Sequence, residues 1–120
     1  MAKTLLLVDD ETIIVEIAKK KFVSFGYNVF TAGNGEEALE VVLHQKIDLI
    51  VLDVQMPKMN GYTFLTELEK KQITDIPIIV LTAFGNMEPI FKRHKIKAYM
   101  TKPLQMEKLV EKVKEVVPNN

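Results

Sequence analysis

Three aspartates, a threonine and a lysine stand at or just past the ends of short apolar runs in this 120-residue chain. Asp9 and Asp10 follow Leu5 to Val8, Asp53 follows Leu49 to Leu52, and Thr82 follows Ile78 to Leu81. Lys102, with Pro103 after it, lies just beyond Ala98 to Met100. Any one of these placements is what a strand end meeting water produces. Their convergence would be different, because close carboxylates repel by about 4 kcal/mol at roughly 4 Å and an effective dielectric of about 20. A cation in the gap relieves that repulsion. Oxygen ligands suit a hard ion such as Mg²⁺ or Mn²⁺, which commonly takes one or two carboxylates plus waters and phosphate oxygens. A carboxylate nucleophile beside such an ion, with a hydroxyl and an ammonium nearby, is equipped for phosphoryl transfer. The aspartate attacks phosphorus, the hydroxyl donates a hydrogen bond, and the cations neutralise developing charge.

Those residues gather only if the runs that precede them lie side by side. Leu5 to Val8, Val29 to Ala32, Leu49 to Leu52 and Ile78 to Leu81 are nearly continuous apolar runs, as expected of strands buried on both faces of a parallel sheet. Ala98 to Met100 is a weaker fifth strand. Between them the apolar period becomes helical. Thr12 to Phe25 carries Ile13, Ile17, Ala18, Lys21 and Phe25 on one stripe, and Met106 to Val117 carries Leu109, Val110, Val113, Val116 and Val117. Glu36 to Leu43 follows the turn and cap Asn34–Gly35, and Tyr62 to Leu68 follows Asn60–Gly61. Pro57, Pro77 and Pro103 fall in connections. Strand–helix alternation with right-handed crossovers gives an α/β doubly wound sheet, with helices on both faces and ligands at the carboxyl ends of the strands.

Composition narrows the alternatives. Hydrophobic residues are 48% of the chain, enough for a core in one ordinary domain, residues 1–120. The formal net charge is zero, against the cationic field of a nucleic-acid-binding domain. With no cysteine there is no disulfide and no thiolate site. The first apolar run is too short for a signal peptide or a membrane span, so a soluble cytoplasmic protein with no membrane partner is expected.

At this point the chain resembles the receiver domains of bacterial response regulators in two-component systems. The likeness rests on LLLVDDE (5–11), GEEALE (35–40), DLIVLDVQMPKMNGYTFL (48–65), IPIIVLTA (76–83) and YMTKPL (99–104), in the family's order over nearly the whole chain. The resemblance implies a flavodoxin-like sheet of strand order 2-1-3-4-5 with five helices. It implies Asp53 as phosphoacceptor, with Asp10, Asp53 and the Gln55 backbone carbonyl on Mg²⁺ and Asp9 acting through a coordinated water. Thr82 would hydrogen-bond the phosphoryl oxygens, Lys102 would pair with them, and Tyr99 would be the aromatic switch. The implied donor is a sensor histidine kinase or a histidine phosphotransfer protein, and the implied output is binding to a downstream target protein through the surface around the fourth and fifth helices. Such a chain is not an enzyme in the ordinary sense, catalysing only its own phosphorylation and dephosphorylation.

The departures gather in one segment. Thr82 and Lys102 are 20 steps apart, slightly fewer than the family leads one to expect, and GNMEPIFKRHKIKAYM (85–100) lacks the usual Ala–Gly–Ala. Pro89 fits only the first turn of a helix, so the fourth helix is expected to be short. Lys92, Arg93, Lys95 and Lys97 read as a solvated face, with partner docking the functional alternative. Phe84 could hinder an attacking water. His44, at the end of the second helix, and His94, in the basic run, are not read as site residues. Met56 and Met59 read as packing residues. A phosphatase of the haloacid dehalogenase type would want DxD where this chain has Asp9 and Glu11, which disfavours it. The remaining alternative is a pseudo-receiver that binds a partner without phosphorylation. Nothing beyond Pro118–Asn119–Asn120 could serve as an output domain, which gives a stand-alone receiver, or else one excised from a longer protein.

Overall fold

Five apolar segments pair in parallel as β2-β1-β3-β4-β5 in a computed structural model, whose described residues are 2–54, 59–82, 92–101 and 105–118, Thr82 by its backbone alone. The strands are β1 (Thr4–Val8), β2 (Asn28–Ala32), β3 (Leu49–Asp53), β4 (Pro77–Thr82) and β5 (Lys95–Thr101). The helices are α1 (Thr12–Ser24), α2 (Gly35–His44), α3 (Gly61–Lys70) and α4 (Met106–Val116). The order and the parallel pairing agree with the flavodoxin-like expectation. Four helices lie among the described residues. The short helix expected around Pro89 falls at 83–91, outside them.

Two apolar layers sandwich the sheet. On one face Leu6, Ile50, Leu52, Ile78 and Val80 pack against Ala38 and Val42 of α2 and Phe64, Leu65 and Leu68 of α3. On the other, Leu5, Leu7, Leu49, Val51, Ile79 and Leu81 meet Ala18 and Phe22 of α1 and Leu109, Val110 and Val113 of α4. Adjacent residues of one strand enter opposite layers, as the period of two requires. That is why β1, β3 and β4 read as unbroken apolar runs.

Local chemistry fixes the helix ends. Asn34 and Asn60 cap α2 and α3 by accepting from Glu37 N and Thr63 N, each at 3.0 Å. At the far end of α1, Tyr27 N donates to Phe22 O and Gly26 N to Val23 O. With Gly26 at φ 92°, this is a Schellman closure. Its apolar contact is the edge-to-face pair Phe22–Tyr27, 5.9 Å between centroids. The Tyr27 hydroxyl then donates to Val117 O at 2.9 Å, tying the start of β2 to the end of α4. The same closure ends α3, through Ile73 N to Leu68 O and Gln72 N to Glu69 O, with Gln72 at φ 60°.

Three expectations change. The stripe assigned to α1 holds only at Ala18: Ile13 and Ile17 are 76% and 53% exposed, and the buried row is Val15, Ala18 and Phe22. Both rows have helical spacing, and the small Ala18 lets the second one approach the sheet. Phe25, also exposed, instead lies 3.5 Å beneath Lys114 Nζ. Pro77 is the first residue of β4 rather than part of a connection, a place where a missing N–H costs no ladder bond. β5 is longer than Ala98 to Met100 because it is an edge strand whose residues alternate between exposed and half-buried, Lys95 and Lys97 facing water.

Candidate functional site

The strand order reverses between β1 and β3, and the acidic residues stand at that point. Val8 pairs with Leu52, which sets the next residues, Asp9 and Asp53, level at the carboxyl edge. Asp53 is the last residue of β3 and fully buried, Asp9 is 7% exposed, and Asp10 faces solvent. Each offers a carboxylate oxygen within 4.8 Å of the other two. Asp9 is held on both sides. Its N–H donates to Ala32 O at 3.0 Å, and its Oδ1 accepts from Glu11 N at 3.0 Å, turning the chain into α1. An all-oxygen donor set with two buried members could hold a hard divalent cation, whose charge would offset the repulsion among three carboxylates this close.

The other expected site residues are placed less completely. Leu81 pairs with Asp53, so Thr82, ending β4, comes one step beyond Asp53 on the neighbouring strand. Val54 N donates to Leu81 O at 3.3 Å, joining the two strands just past Asp53. Thr101 pairs with Thr82 and directly precedes Lys102. Gln55, Met56, Pro57, Ala83, Phe84, Lys102 and Pro103 lie outside the described residues, so neither the Gln55 carbonyl nor the Lys102 ammonium is placed.

Tyr99 owes its position to an irregularity that the sequence did not reveal. Ile78 pairs with Ile96 but Ile79 pairs with Ala98, so Lys97 is an extra residue in β5. Such a bulge exchanges the faces of everything after it. Ile96 packs with the α2–α3 layer, whereas Ala98 and Met100 pack with the α1–α4 layer. Tyr99 consequently pairs with Val80 and is 36% exposed, and burial of its ring pushes the phenol up.

His94 turns inward from the basic run. Lys92, Arg93, Lys95 and Lys97 are exposed as expected, but His94 among them is only 7% exposed. Its Nε2 lies 3.1 Å from Leu65 O of α3, and its buried Nδ1 has no hydrogen-bond partner. Burial lowers its pKa, against smaller raising effects from the Leu65 carbonyl and Glu69, while Arg93 lowers it further. A basic run does not betray which of its members turns inward. His44 behaves as expected, ending α2 with Nδ1 3.4 Å from Glu40 Oε1.

Comparison with known proteins covers the same ground. Residues 5–114 match the response regulator receiver domain family. The chain is 41% identical over 115 residues to the probable transcriptional regulator ycf27 of Pyropia yezoensis, covering 94% of this chain and 46% of that protein. It is 40% identical to the ycf27 regulator of Cyanidium caldarium, covering 94% and 45%. It thus spans about half the length of these curated relatives. Among solved structures, the response regulator TrrA of Thermotoga maritima, in complex with Mg²⁺ and BeF, superposes at a TM-score of 0.80, with 36% identity and 96% and 99% of the two chains covered. The chemotaxis protein CheY4 of Vibrio cholerae superposes at 0.82, with 29% identity and 98% and 100% covered. Among the described residues, no helix is long and apolar enough to cross a membrane.

Proposed function

Because the chain belongs to the response regulator receiver domain family, we propose that Asp53 accepts a phosphoryl group from a phosphohistidine and that the resulting charge switches a partner-binding surface. The observation that carries this reading is the level placement of Asp9 and Asp53 beside Asp10, three carboxylates within 4.8 Å at the strand-order reversal. A metal-bound relative, TrrA with Mg²⁺ and BeF, supports the same assignment. The phosphoryl donor is a sensor histidine kinase or a histidine phosphotransfer protein, and the setting is cytoplasmic.

An oxygen of the Asp53 carboxylate attacks phosphorus in line with the departing imidazole nitrogen. The O–P bond forms as the N–P bond breaks, and its electron pair returns to the ring. Asp10, Asp53 and the Gln55 carbonyl would hold Mg²⁺ or Mn²⁺, with Asp9 acting through water. When bound, that ion supplies neutralisation of charge on the phosphoryl oxygens. Thr82 donates a hydrogen bond to a phosphoryl oxygen and Lys102 pairs with another, so both shift toward the acidic edge. Tyr99, two steps back from Thr101 on the outer strand, answers that shift. A nearly complete switch asks for about 5.5 kcal/mol of differential stabilisation between the two states. The chain acts only on itself, adding and losing its own phosphoryl group. Its output is a downstream target protein, and the neutral domain makes no nucleic-acid contact of its own.

Incubation with acetyl phosphate, with and without Mg²⁺, tests this by intact mass beside Asp53→Asn. A phosphoryl adduct that needs the metal and vanishes in the variant is expected. A wild-type chain that gains no adduct and does not bind beryllofluoride would sink the reading and leave a phosphorylation-independent binding module.

A further inference from the structure

Three consecutive side chains tie the start of β5 to α3 and the turn after it. Arg93 Nε stands 3.4 Å from Glu69 Oε1, His94 Nε2 3.1 Å from Leu65 O, and Lys95 Nζ 3.8 Å from Asp75 Oδ1. The two ion pairs lie at the surface, where such pairs contribute little. His94 is the buried member of the three. Ile96 follows it into the layer of α2 and α3, but past the bulge at Lys97 the residues Ala98 and Met100 belong to the other layer. The hold of α3 on this edge strand is therefore concentrated at its first residues.

The chemistry of the His94 seat depends on its proton count. A carbonyl can only accept, so Nε2 carries the hydrogen and donates to Leu65 O, and Nδ1 is the bare nitrogen of a neutral ring. That Nδ1 is buried with no hydrogen-bond partner. Protonation would place a charged N–H there with nothing to accept it, and a buried unpaired charge is costly. Few charges compensate. Among the described residues, Lys92, Arg93 and Lys95 flank the ring on its own segment, α3 brings Glu69, and β4 brings no titratable side chain. Glu69 is already paired with Arg93. We propose that His94 is a proton-operated latch on β5: the neutral ring stays seated on α3, and charging it frees the start of the strand on which Tyr99 stands. The latch needs no phosphoryl group, so it goes beyond the receiver reading and stands or falls apart from it.

Opening returns the ring to water and its ordinary value of about 6.5, so the open population should grow by up to about tenfold per pH unit below that point. Amide hydrogen exchange of the full chain between about pH 7.5 and 5.5 tests this, read as protection factors so that the pH dependence of exchange itself drops out. In wild type, protection along β5 is expected to fall by up to about tenfold per unit, while β2, at the opposite edge of the sheet, holds constant. In His94→Gln, whose amide nitrogen can still donate to Leu65 O but cannot be charged, β5 should stay level. Constant β5 protection in wild type, or an equal fall in His94→Gln, overturns the proposal. A fall shared equally by β2 also overturns it, since the proton would then act on global unfolding rather than on one strand. Where His94→Gln does not fold, the wild-type imidazole decides by its own NMR titration. A midpoint below about 6.5, moving with β5 protection, is expected, and one at or above that value overturns the latch.

Discussion

β3 and β5 both lead to the functional edge, and they are built in opposite ways. Every residue of β3 is buried, it has strands on both sides, and it ends in Asp53, the proposed acceptor. β5 has one neighbour, carries a bulge at Lys97, and alternates exposed with half-buried residues up to Thr101. Asp53 and Asp9 thus stand on core-like ground, whereas Tyr99 stands on an edge with shallow packing. Phosphoryl transfer needs reacting groups held within fractions of an ångström, and that favours the first construction. A switch needs an element whose two arrangements differ by little free energy, and weakly packed segments are where such elements are found. The division of labour proposed for the site matches the packing under each half.

The largest effect should come from weakening the rigid half. Leu52→Ala, at a fully buried β3 position next to Asp53, is expected to cost about 3 kcal/mol in urea denaturation. Ile96→Ala, only half-buried on β5, should cost less than half as much. Equal losses at the two positions would erase the contrast between the strands.

His94 sharpens the comparison from the other side, because it plugs the start of β5 against α3 through Leu65 O. Its pKa in the fold is lowered, chiefly by burial, below the unfolded value of 6.5. The unfolded chain therefore binds a proton more readily than the folded one over the interval between those values. Stability is whole above about pH 6.5 and is lost as pH falls from there toward the folded value, at no more than about 1.4 kcal/mol per pH unit for a single proton. Melting temperatures between roughly pH 7.5 and 5.5 should decline in wild type and flatten in His94→Leu. A decline of the same slope in the variant would assign it to other groups.

The same contrast explains what could be read in the sequence. β1, β3 and β4 were legible because burial on both faces writes a continuous apolar run, and Asp9, Asp10 and Asp53 were legible because they end such runs at the strand-order reversal. Asn34 and Asn60 announced their caps by residue type alone. β5 was underestimated because an edge strand interleaves Lys95 and Lys97 with its apolar residues, and a bulge leaves no mark on composition. The wrong stripe of α1 had a second row, Val15, Ala18 and Phe22, of equal period beside it. The inward turn of His94 toward Leu65 O and the hydrogen bond from Gly35 N to Met59 O, at 2.7 Å, depend on partners distant in the chain. Local pattern carries no information about either.

The smallest expected effect concerns the acidic cluster with no metal present. Asp9, Asp10 and Asp53 repel one another within 4.8 Å, so removing one of them should relieve the fold rather than harm it. Asp10 is the clean choice because it faces solvent, which leaves no cavity behind and lets water screen part of the repulsion. In chelator, Asp10→Ala should melt at the wild-type temperature or slightly above it, with any gain shrinking as salt is added. In excess Mg²⁺ the order should reverse. Wild type then gains stability by mass action on the folded state, and the variant has lost a ligand and gains little. A clear drop for Asp10→Ala in chelator would mean that its carboxylate supports the apo fold. The buried half of the site would then be held together by its charges rather than strained by them.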